Sequence, residues 1–389
     1  MVMSRIYLDH AATTPMVPEA VDAMTRELTR VGNASSLHAS GRFARRVVEE
    51  SREAIAAQVG AQPSELIFTS GGTESDNLAV KGAFWSGSEV GRSRVVTSAI
   101  EHHAVLDSVA WLGKSAAAEV SYIPVDPAGR IEVSALADAV DARTALVSVM
   151  WANNEVGTLQ PVRQVAAVAA KCGAVSHSDA VQAVGHVEVN FATSGLDLLS
   201  FTAHKLGGPY GIGALLARRE LQLAPILHGG GQEREVRSGT LDVAATAGFA
   251  AALEVATRNR VREEQRLHAL RTDLVHAVLA AVPWAVPHGT SVERERLPGI
   301  ASIGFPGCAA DAILMLLDSA GIDCSTGAAC SAGVSQPSHV LLAMGVSEAD
   351  ARSVLRLSLG HSSTPADVRA LAGALPEAVQ RAKAAAAFA

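Results

Sequence analysis

The sequence predicts an α/β protein with a largely parallel or mixed β-sheet. Between about residue 65 and residue 217, short β-rich runs alternate with helix-like segments, and polar residues directly follow several of the runs. The runs are "ELIFT", "RVVTSA", "VSYI", "ALVSVM", "AVSHS", "DLLSFT" and "IGALLA". Ligands of such sheets bind at the carboxyl ends of the strands, so the residues after each run are the candidates for chemistry.

The chain length and a change of texture near residue 250 predict two domains. A chain of 389 residues exceeds what one hydrophobic core usually organises. After residue 250, apolar residues recur at helical spacing on an Arg- and Glu-rich background, which predicts a long amphipathic helix. Strand-like "GIASIGF" and "VLRLSLG" follow, with helical "AADAILMLLDSAG" between them. We predict a large domain over 16–255 and a small domain formed by 1–15 and 256–389.

Composition and charge exclude several classes of function. A net charge of −7 argues against nucleic-acid binding, which depends on clustered Lys and Arg. No apolar run approaches the roughly 20 residues of a membrane span, and the N-terminus lacks the apolar core of a signal peptide, so we predict a cytoplasmic protein. Four cysteines without a CxxC pair predict reduced thiols, and HExxH is missing, so we expect no resident metal.

The segment "IFTSGGTESDNLAVKGAF" offers a possible anion site. A strand leads into glycines, and Thr73 begins an apolar-periodic helix with Asp76 three residues on, a capping-box pattern. Free backbone N–H groups near Gly72 and Thr73 suit a phosphate. An ordinary capped helix is the alternative, and the motif matches neither GxxxxGK[ST] nor GxGxxG.

Polar side chains follow two further strands. Asp179 comes after "AVSHS", with Gln182 one turn later, and Asn154 lies in "NNE" after "ALVSVM". Each could cap a helix, or together they could line one pocket. In "EHHAVL", adjacent His102 and His103 point in different directions in a helix or strand, so we expect at most one to face that pocket.

Lys205 lies between two apolar runs. A lysine side chain is strongly hydrated, so its position between buried segments indicates a specific function. A lysine amine can form a Schiff base with an aldehyde. Pyridoxal phosphate requires such a lysine, an acidic partner for its ring nitrogen and a phosphate site. Lys205 follows Asp179 by 26 residues, close to one strand–helix–strand repeat, so this set fits a pyridoxal phosphate enzyme.

The C-terminal part contributes a cysteine and an arginine. Cys330 lies in "CSTGAACSAGVSQPSH", where small residues predict an exposed loop thiol that can act as nucleophile or sulfur carrier. Arg356 lies on the strand-like run "VLRLSLG", where its guanidinium needs a partner such as a substrate carboxylate.

The motifs together are recognisable. "YLDHAATTP", "GNASSLH", "FTSGGTESDNLA", "EHHAVL", "NNEVGT", "HSDAVQAVG", "AHKLGGPYGIGAL", "HGGGQEREVRSGT", "STGAACSAG" and "LRLSLG" occur in this order. The chain resembles the NifS/IscS-like cysteine desulfurases, pyridoxal phosphate enzymes of fold type I in the class V aminotransferase group. The resemblance implies a large domain with a mixed, mostly parallel seven-stranded sheet and a smaller α+β domain that carries the cysteine loop.

The resemblance also implies a role for each motif residue. Lys205 would be the Schiff-base lysine, and Cys330 would accept sulfur. Arg356 and Asn154 would hold the substrate carboxylate. The cofactor ring would be contacted by Asp179 at its nitrogen, His102 over its face and Gln182 at its phenolic oxygen, and its phosphate would be held by Gly72, Thr73, Thr202, His204 and, from the neighbouring subunit of a homodimer, Thr240.

The implied reaction converts L-cysteine to L-alanine, forms a persulfide on Cys330 and passes sulfur to an acceptor or iron–sulfur scaffold protein. Any contact of Cys330 with a cluster would be transient. Alternatives are a selenocysteine lyase, another class V pyridoxal phosphate enzyme, or sulfur delivery for tRNA thiolation. A plain aminotransferase would need no loop thiol, and a non-enzymatic sulfur-relay protein would need no lysine at position 205.

Overall fold

A computed structural model describes residues 5–327 and 336–386. Its α-helices are α1 Pro18–Leu28, α2 Ala39–Gln58, α3 Gly72–Ser88, α4 His103–Ser115, α5 Val133–Ala139, α6 Val162–Cys172, α7 Phe191–Ser194, α8 Val243–Ala281, α9 Ala310–Ser319, α10 His339–Ala343, α11 Glu348–Ala351 and α12 Pro365–Ala386. Its strands are β1 Ile6–Tyr7, β2 Leu66–Thr69, β3 Arg94–Ser98, β4 Glu119–Ile123, β5 Thr144–Ser148, β6 Val175–Asp179, β7 Leu198–Thr202, β8 Gly213–Ala217, β9 Val286–His288, β10 Ile300–Gly304, β11 Ile322–Asp323, β12 Ser325–Thr326 and β13 Val354–Ser358. Among these described helices, none is long and apolar enough to cross a membrane.

A seven-stranded sheet, in the order β2-β8-β7-β6-β5-β3-β4, forms the centre of the large lobe. Strand β8 runs antiparallel to β2 and β7, and the remaining neighbours are parallel. Strands β2, β5, β7 and β8 are buried throughout because helices cover both faces, which explains their nearly continuous apolar sequences. The predicted α/β class with a mixed, mostly parallel sheet is confirmed.

The second lobe is built on a four-stranded antiparallel sheet in the order β12-β13-β10-β9. Strand β1 near the N-terminus pairs with β11, so the start of the chain packs with this lobe. The long helix predicted after residue 250 is confirmed as α8, which begins earlier because Asp242 caps the backbone N–H of Ala245. Helix α8 contributes buried residues to one hydrophobic core in the large lobe and to one in the second lobe, and the domain boundaries proposed above stay a prediction.

The carboxyl ends of β6 and β7 and the start of α3 meet at one edge of the large sheet. Strand β6 ends at Asp179, and β7 is followed directly by a 3-10 turn over Ala203–Lys205. Gly213 on β8 lets the chain before α3 approach closely, since a Cβ there would lie 2.7 Å from the carbonyl carbon of Gly71. The sheet therefore sets the positions from which the site is built.

Candidate active site

A cavity of about 520 Å³ lies between the two lobes and collects most of the predicted site residues. Those that line it are Gly72, Thr73, His102, Asn154, Asp179, Gln182, Thr202, His204, Lys205 and Arg356. Thr240 is exposed and does not line this cavity, and Cys330 lies outside the described residues.

Lys205 reaches from the turn after β7 into the cavity. Its Nζ donates hydrogen bonds to the carbonyl oxygens of Ala11 at 2.6 Å and Ala12 at 2.8 Å. Burial and, to a smaller extent, nearby Arg356 lower the pKa of Lys205 to about 8, while Asp179 partly opposes the change. The amine is therefore neutral, and nucleophilic, in a far larger fraction near neutral pH than an exposed lysine would be.

Asp179 ends β6 as a buried carboxylate at the cavity wall. Its Oδ1 accepts a hydrogen bond from the Val181 backbone N–H at 2.9 Å, and the residue lines the cavity. Burial raises the pKa of Asp179, whereas His102, the Val181 N–H and Lys205 lower it. His102 is the N-cap of α4, and its Nδ1 accepts from the Ala104 N–H, so the ring is held in one orientation.

The start of α3 forms a backbone cradle, and here the predicted capping box is wrong. Helix α3 begins at Gly72 after Gly71, whose φ of 152° suits only glycine, and among the described residues no side chain caps this end. Asp76 does not reach back to the helix start because its side chain is buried against the sheet. Within this described part of the chain, the backbone N–H groups in the first turn of α3 have no side-chain cap, so they are suited to bind an anion such as phosphate.

Three further predicted residues are held by hydrogen bonds to the backbone or to Thr13. Thr202 Oγ1 donates to the Ile212 carbonyl at 2.9 Å, and Gln182 Nε2 donates to the Ala11 carbonyl at 2.8 Å. His204 Nδ1 lies 3.2 Å from Thr13 Oγ1. Burial lowers the pKa of His204 to about 4, so its ring is neutral at physiological pH.

Arg356 reaches the cavity from the small lobe. It lies in the middle of β13, where Nη2 donates to Asp9 Oδ1 at 2.9 Å and Nη1 donates to the Asn154 carbonyl at 3.2 Å. Its Nε is buried and has no hydrogen-bond partner among the described residues. A buried guanidinium held in this way can offer its remaining donors to an anion in the cavity.

The expectation that at most one histidine of the pair would face the pocket is wrong. His102 and His103 both line the cavity because they straddle the turn into α4, so neither strand nor helix geometry separates them. His103 is exposed, with its Nδ1 3.2 Å from Asp107, and its ring lies 5.0 Å from that of His339.

Other cavity residues were not found from the sequence. Ala11 and Ala12 act through their carbonyl oxygens, for which small apolar residues give no signal. The segment Ser325–Gly327 on and after β12 and His339 at the start of α10 also line the cavity. Their motifs, "STGAAC" and "QPSH", belong to the segment that contains Cys330, but which of their positions face the site depends on how the two lobes pack.

The residues present fit pyridoxal phosphate. The cavity provides an amine with a lowered pKa, a buried carboxylate and a backbone cradle for an anion. A Cβ at Gly72 would lie 2.9 Å from Val181 Cγ2, so a larger residue would crowd the cradle. Each group that the cofactor's aldehyde, ring nitrogen and phosphate require is therefore available at this edge of the sheet.

Comparison with known proteins gives a consistent picture. Residues 6–371 match the family model for aminotransferase class-V. The chain is 54% identical over 384 residues to an IscS-like cysteine desulfurase of Mycobacterium tuberculosis, covering 98% of this chain and 98% of the relative.

Solved structures with the same architecture include two NifS-like proteins. One is described as a NifS-like protein and matches with a TM-score of 0.88 at 33% identity, covering 99% of this chain and 100% of that chain. The other, a NifS-like protein from Rickettsia africae, matches with a TM-score of 0.87 at 33% identity, covering 97% of this chain and 99% of that chain.

Proposed function

Because the chain belongs to the cysteine desulfurases of the aminotransferase class-V family, we propose that it uses pyridoxal phosphate to convert L-cysteine to L-alanine and retains the sulfur as a persulfide on Cys330. The observation that carries the cofactor assignment is that Lys205 and Asp179 line one cavity together with the uncapped start of α3. The enzyme class rests on the family, and the roles of individual residues are proposals.

Each end of the cofactor has a partner in this arrangement. Lys205 would hold the aldehyde carbon, Asp179 the ring nitrogen and Gln182 the phenolic oxygen, with His102 over the ring. The backbone of Gly72 and Thr73, with Thr202 and His204, would hold the phosphate. When bound, pyridoxal phosphate supplies an electron sink that makes the Cα–H bond of an amino acid acidic.

The chain's own groups would orient the substrate and move its proton. Arg356 Nη1 donates to the Asn154 carbonyl and Nη2 donates to Asp9, which fixes the guanidinium plane and leaves a second N–H on each nitrogen. Its remaining N–H donors and the Asn154 side chain would bind the substrate carboxylate. The pKa of Lys205, lowered to about 8, allows its amine to take the Cα proton and return it near neutral pH.

Transfer of sulfur from L-cysteine to the enzyme requires no added oxidant or reductant. The Cys330 thiolate would form an S–S bond to the substrate sulfur while the C–S bond breaks, and the three-carbon fragment takes up a proton and leaves as alanine. The contrasting thiol is Cys324, because burial raises its pKa to about 12 and it stays protonated. Cys330 is therefore our candidate and Cys324 the matched control.

The test is alanine release from L-cysteine by the cofactor-loaded protein. Cys330→Ser should keep the visible absorbance of the bound cofactor and stop alanine release, whereas Cys324→Ser should retain both. Turnover by Cys330→Ser at the wild-type rate would contradict the persulfide step. A parallel assay with L-selenocysteine separates the alternative, since a selenocysteine lyase would act on the selenium substrate without Cys330.

We also propose a homodimer in which Thr240 completes the neighbouring cofactor site. Thr240 is exposed and outside the cavity of its own chain, as this role requires. Lys205→Ala and Thr240→Ala subunits, each impaired alone, should regain activity when mixed, because one site of the mixed dimer then has both residues intact. A mixture no more active than its components would refute the shared site.

The persulfide sulfur would go to an acceptor protein, which we propose to be an iron–sulfur scaffold. Delivery for tRNA thiolation is the competing destination. Persulfide-loaded protein incubated with each candidate acceptor should lose its labelled sulfur to the true partner. The cytoplasmic location stays a prediction.

A further inference from the structure

A second aspartate, Asp76, lines the cavity where α3 meets β6, a part that we call the cavity floor, and it has no role in the proposed reaction. Asp76, on the second turn of α3, lines the cavity and is only 1% exposed. Its Oδ1 is buried and has no hydrogen-bond partner among residues 5–327 and 336–386. An unpaired buried carboxylate is costly, so a carboxyl group in this position calls for an explanation.

The polar groups beside Asp76 come from the neighbouring strands of the sheet. His177, two residues before Asp179 on β6, has its Nε2 3.6 Å from Asp76 Oδ1. That Nε2 is also 2.9 Å from the Ser200 hydroxyl of β7, and Nδ1 is 2.8 Å from the Ser148 hydroxyl of β5. Burial lowers the pKa of His177 to about 3, so the ring is neutral and offers Asp76 no positive charge.

Within the part of the chain that the structure describes, no cation is found to compensate an Asp76 anion. Strands β2, β5 and β8 contain no titratable residue, and β7 contributes the Ser200 hydroxyl. Helix α4 carries three titratable residues: His103 and Asp107, which are both exposed, and Lys114 in its last turn. The remaining groups around the floor are Glu101 and His102 before α4, Asp179 on β6 and Lys205 after β7.

The charges that act on the two aspartates differ. The pKa of Asp76 is raised well above its ordinary value by burial, then by Asp179, and also by Glu101, with only the Ser200 hydroxyl opposing. Burial also raises the pKa of Asp179, but His102, the Val181 N–H and Lys205 oppose that shift. Glu101, buried with a pKa of about 8, is itself largely protonated at neutral pH.

We propose that Asp76 is a positioning residue of the cofactor site: a neutral carboxylic acid beside His177 and Asp179 that leaves Asp179 as the charged carboxyl of the cavity floor. A second anion there would repel the charge of Asp179 and weaken its hold on a protonated ring nitrogen. A neutral acid avoids that repulsion. The effect of Asp76 on the cofactor rests on the proposed cofactor site. The protonation state of Asp76 does not depend on that site.

Infrared difference spectroscopy of the cofactor-free protein tests the protonation state directly. At neutral pH, wild-type minus Asp76→Asn should contain the carbonyl stretch of a protonated carboxylic acid, and the band should persist in the Asp179→Asn background. Glu377→Gln, which changes an exposed carboxylate, is the control and should contain carboxylate bands instead. Carboxylate bands in the Asp76→Asn difference would overturn the proposal.

If Asp76→Asn does not fold, wild-type protein with carbon-13-labelled aspartate replaces it. An acid band that shifts on labelling and remains in labelled Asp179→Asn supports a neutral Asp76, because Glu101 is then unlabelled. No shifting acid band contradicts it.

The cofactor-loaded protein provides a second readout that a purely structural role would not move. The pH midpoint of the cofactor's visible absorbance change should differ by less than about 0.3 units between wild type and Asp76→Asn, since one neutral group replaces another. A displacement of about one unit or more would mean that a charge had been removed, and the proposal would fail. If no protein gains visible absorbance, the proposed cofactor site fails, and the infrared result still stands.

Discussion

The two walls of the cavity are built by different means. The large-lobe wall presents residues from the ends of parallel strands, where Asp179 ends β6 and Lys205 follows β7. The small-lobe wall presents Arg356 from the middle of an antiparallel strand, and its guanidinium is held by Asp9 from the N-terminal segment. We infer that the first wall serves the cofactor and the second serves the substrate, so changes in the two walls should affect different steps.

The largest effect should come from the cofactor wall. Lys205→Ala removes the amine that would hold the cofactor covalently and transfer the Cα proton, so alanine release should fall by at least about 10²–10⁴-fold. Reconstituted protein should also lose the absorbance of lysine-bound cofactor. Lys81→Ala should retain both signals, because Lys81 is hydrogen-bonded to Asn77 on α3 and does not line the cavity. Retention of lysine-bound cofactor in Lys205→Ala would mean that another lysine is the anchor.

A change in the substrate wall should spare cofactor binding. Arg356→Gln removes a charge-assisted contact worth about 1.5–3 kcal/mol, which corresponds to about a 10–100-fold loss in kcat/KM for L-cysteine. Steady-state kinetics and cofactor titration of the same preparation separate the two steps, with exposed Arg381→Gln as the control. The division between the walls would break if cofactor affinity fell as much as kcat/KM.

The same contrast explains what could be predicted from the sequence. Alternating apolar runs and the strand-end rule were enough to place Asp179 and Lys205 together, because parallel strands bring their ends to one edge. The contact of Arg356 with Asp9 joins residues 347 positions apart and depends on how β1 packs with the small lobe, so no local pattern encodes it.

Two sequence predictions were wrong because of local backbone geometry that residue spacing does not show. The spacing of Thr73 and Asp76 matched a capping box, but Gly71 changes the chain direction and α3 starts at Gly72 with Asp76 turned towards the sheet. For His103, the turn into α4 overrides the alternation expected within regular structure. The motif resemblance supplied the remaining residue roles, which spacing alone left open.

Glu155 connects the two walls and should make their association pH-dependent. It follows β5, hydrogen-bonds Ser338 before α10, and has a pKa raised to about 7 by burial, with Ser338 and Arg356 opposing. Because the folded-state pKa is raised, its stabilising contribution is complete below the unfolded-state value near 4.5 and is lost as pH rises through about 7.

Glu155→Gln should therefore become more stable relative to wild type as pH rises from about 5 to 8, by about 3 kcal/mol at most. Denaturant unfolding across this range measures the difference, and exposed Glu377→Gln should give a flat difference. A Glu155→Gln difference that is independent of pH would show that this carboxyl does not titrate in the range.

The smallest expected effect is an electrostatic influence of one wall on the other. Arg356 lowers the pKa of Lys205, so Arg356→Gln should raise the pH midpoint for cofactor capture by cofactor-free protein above about 8, by less than one unit. Capture should increase with pH in both proteins because the neutral amine reacts. Stopped-flow absorbance at a series of pH values measures the midpoint, and a shift to lower pH would contradict the assigned interaction.

The proposed function depends most on which lysine holds the cofactor. Borohydride reduction of protein loaded with pyridoxal phosphate, followed by peptide mass spectrometry, identifies that lysine directly. We predict modification of Lys205 in nearly every chain, with Lys81, Lys114, Lys171 and Lys383 unmodified. Stoichiometric modification at any of those four lysines, with Lys205 free, would contradict the proposed site.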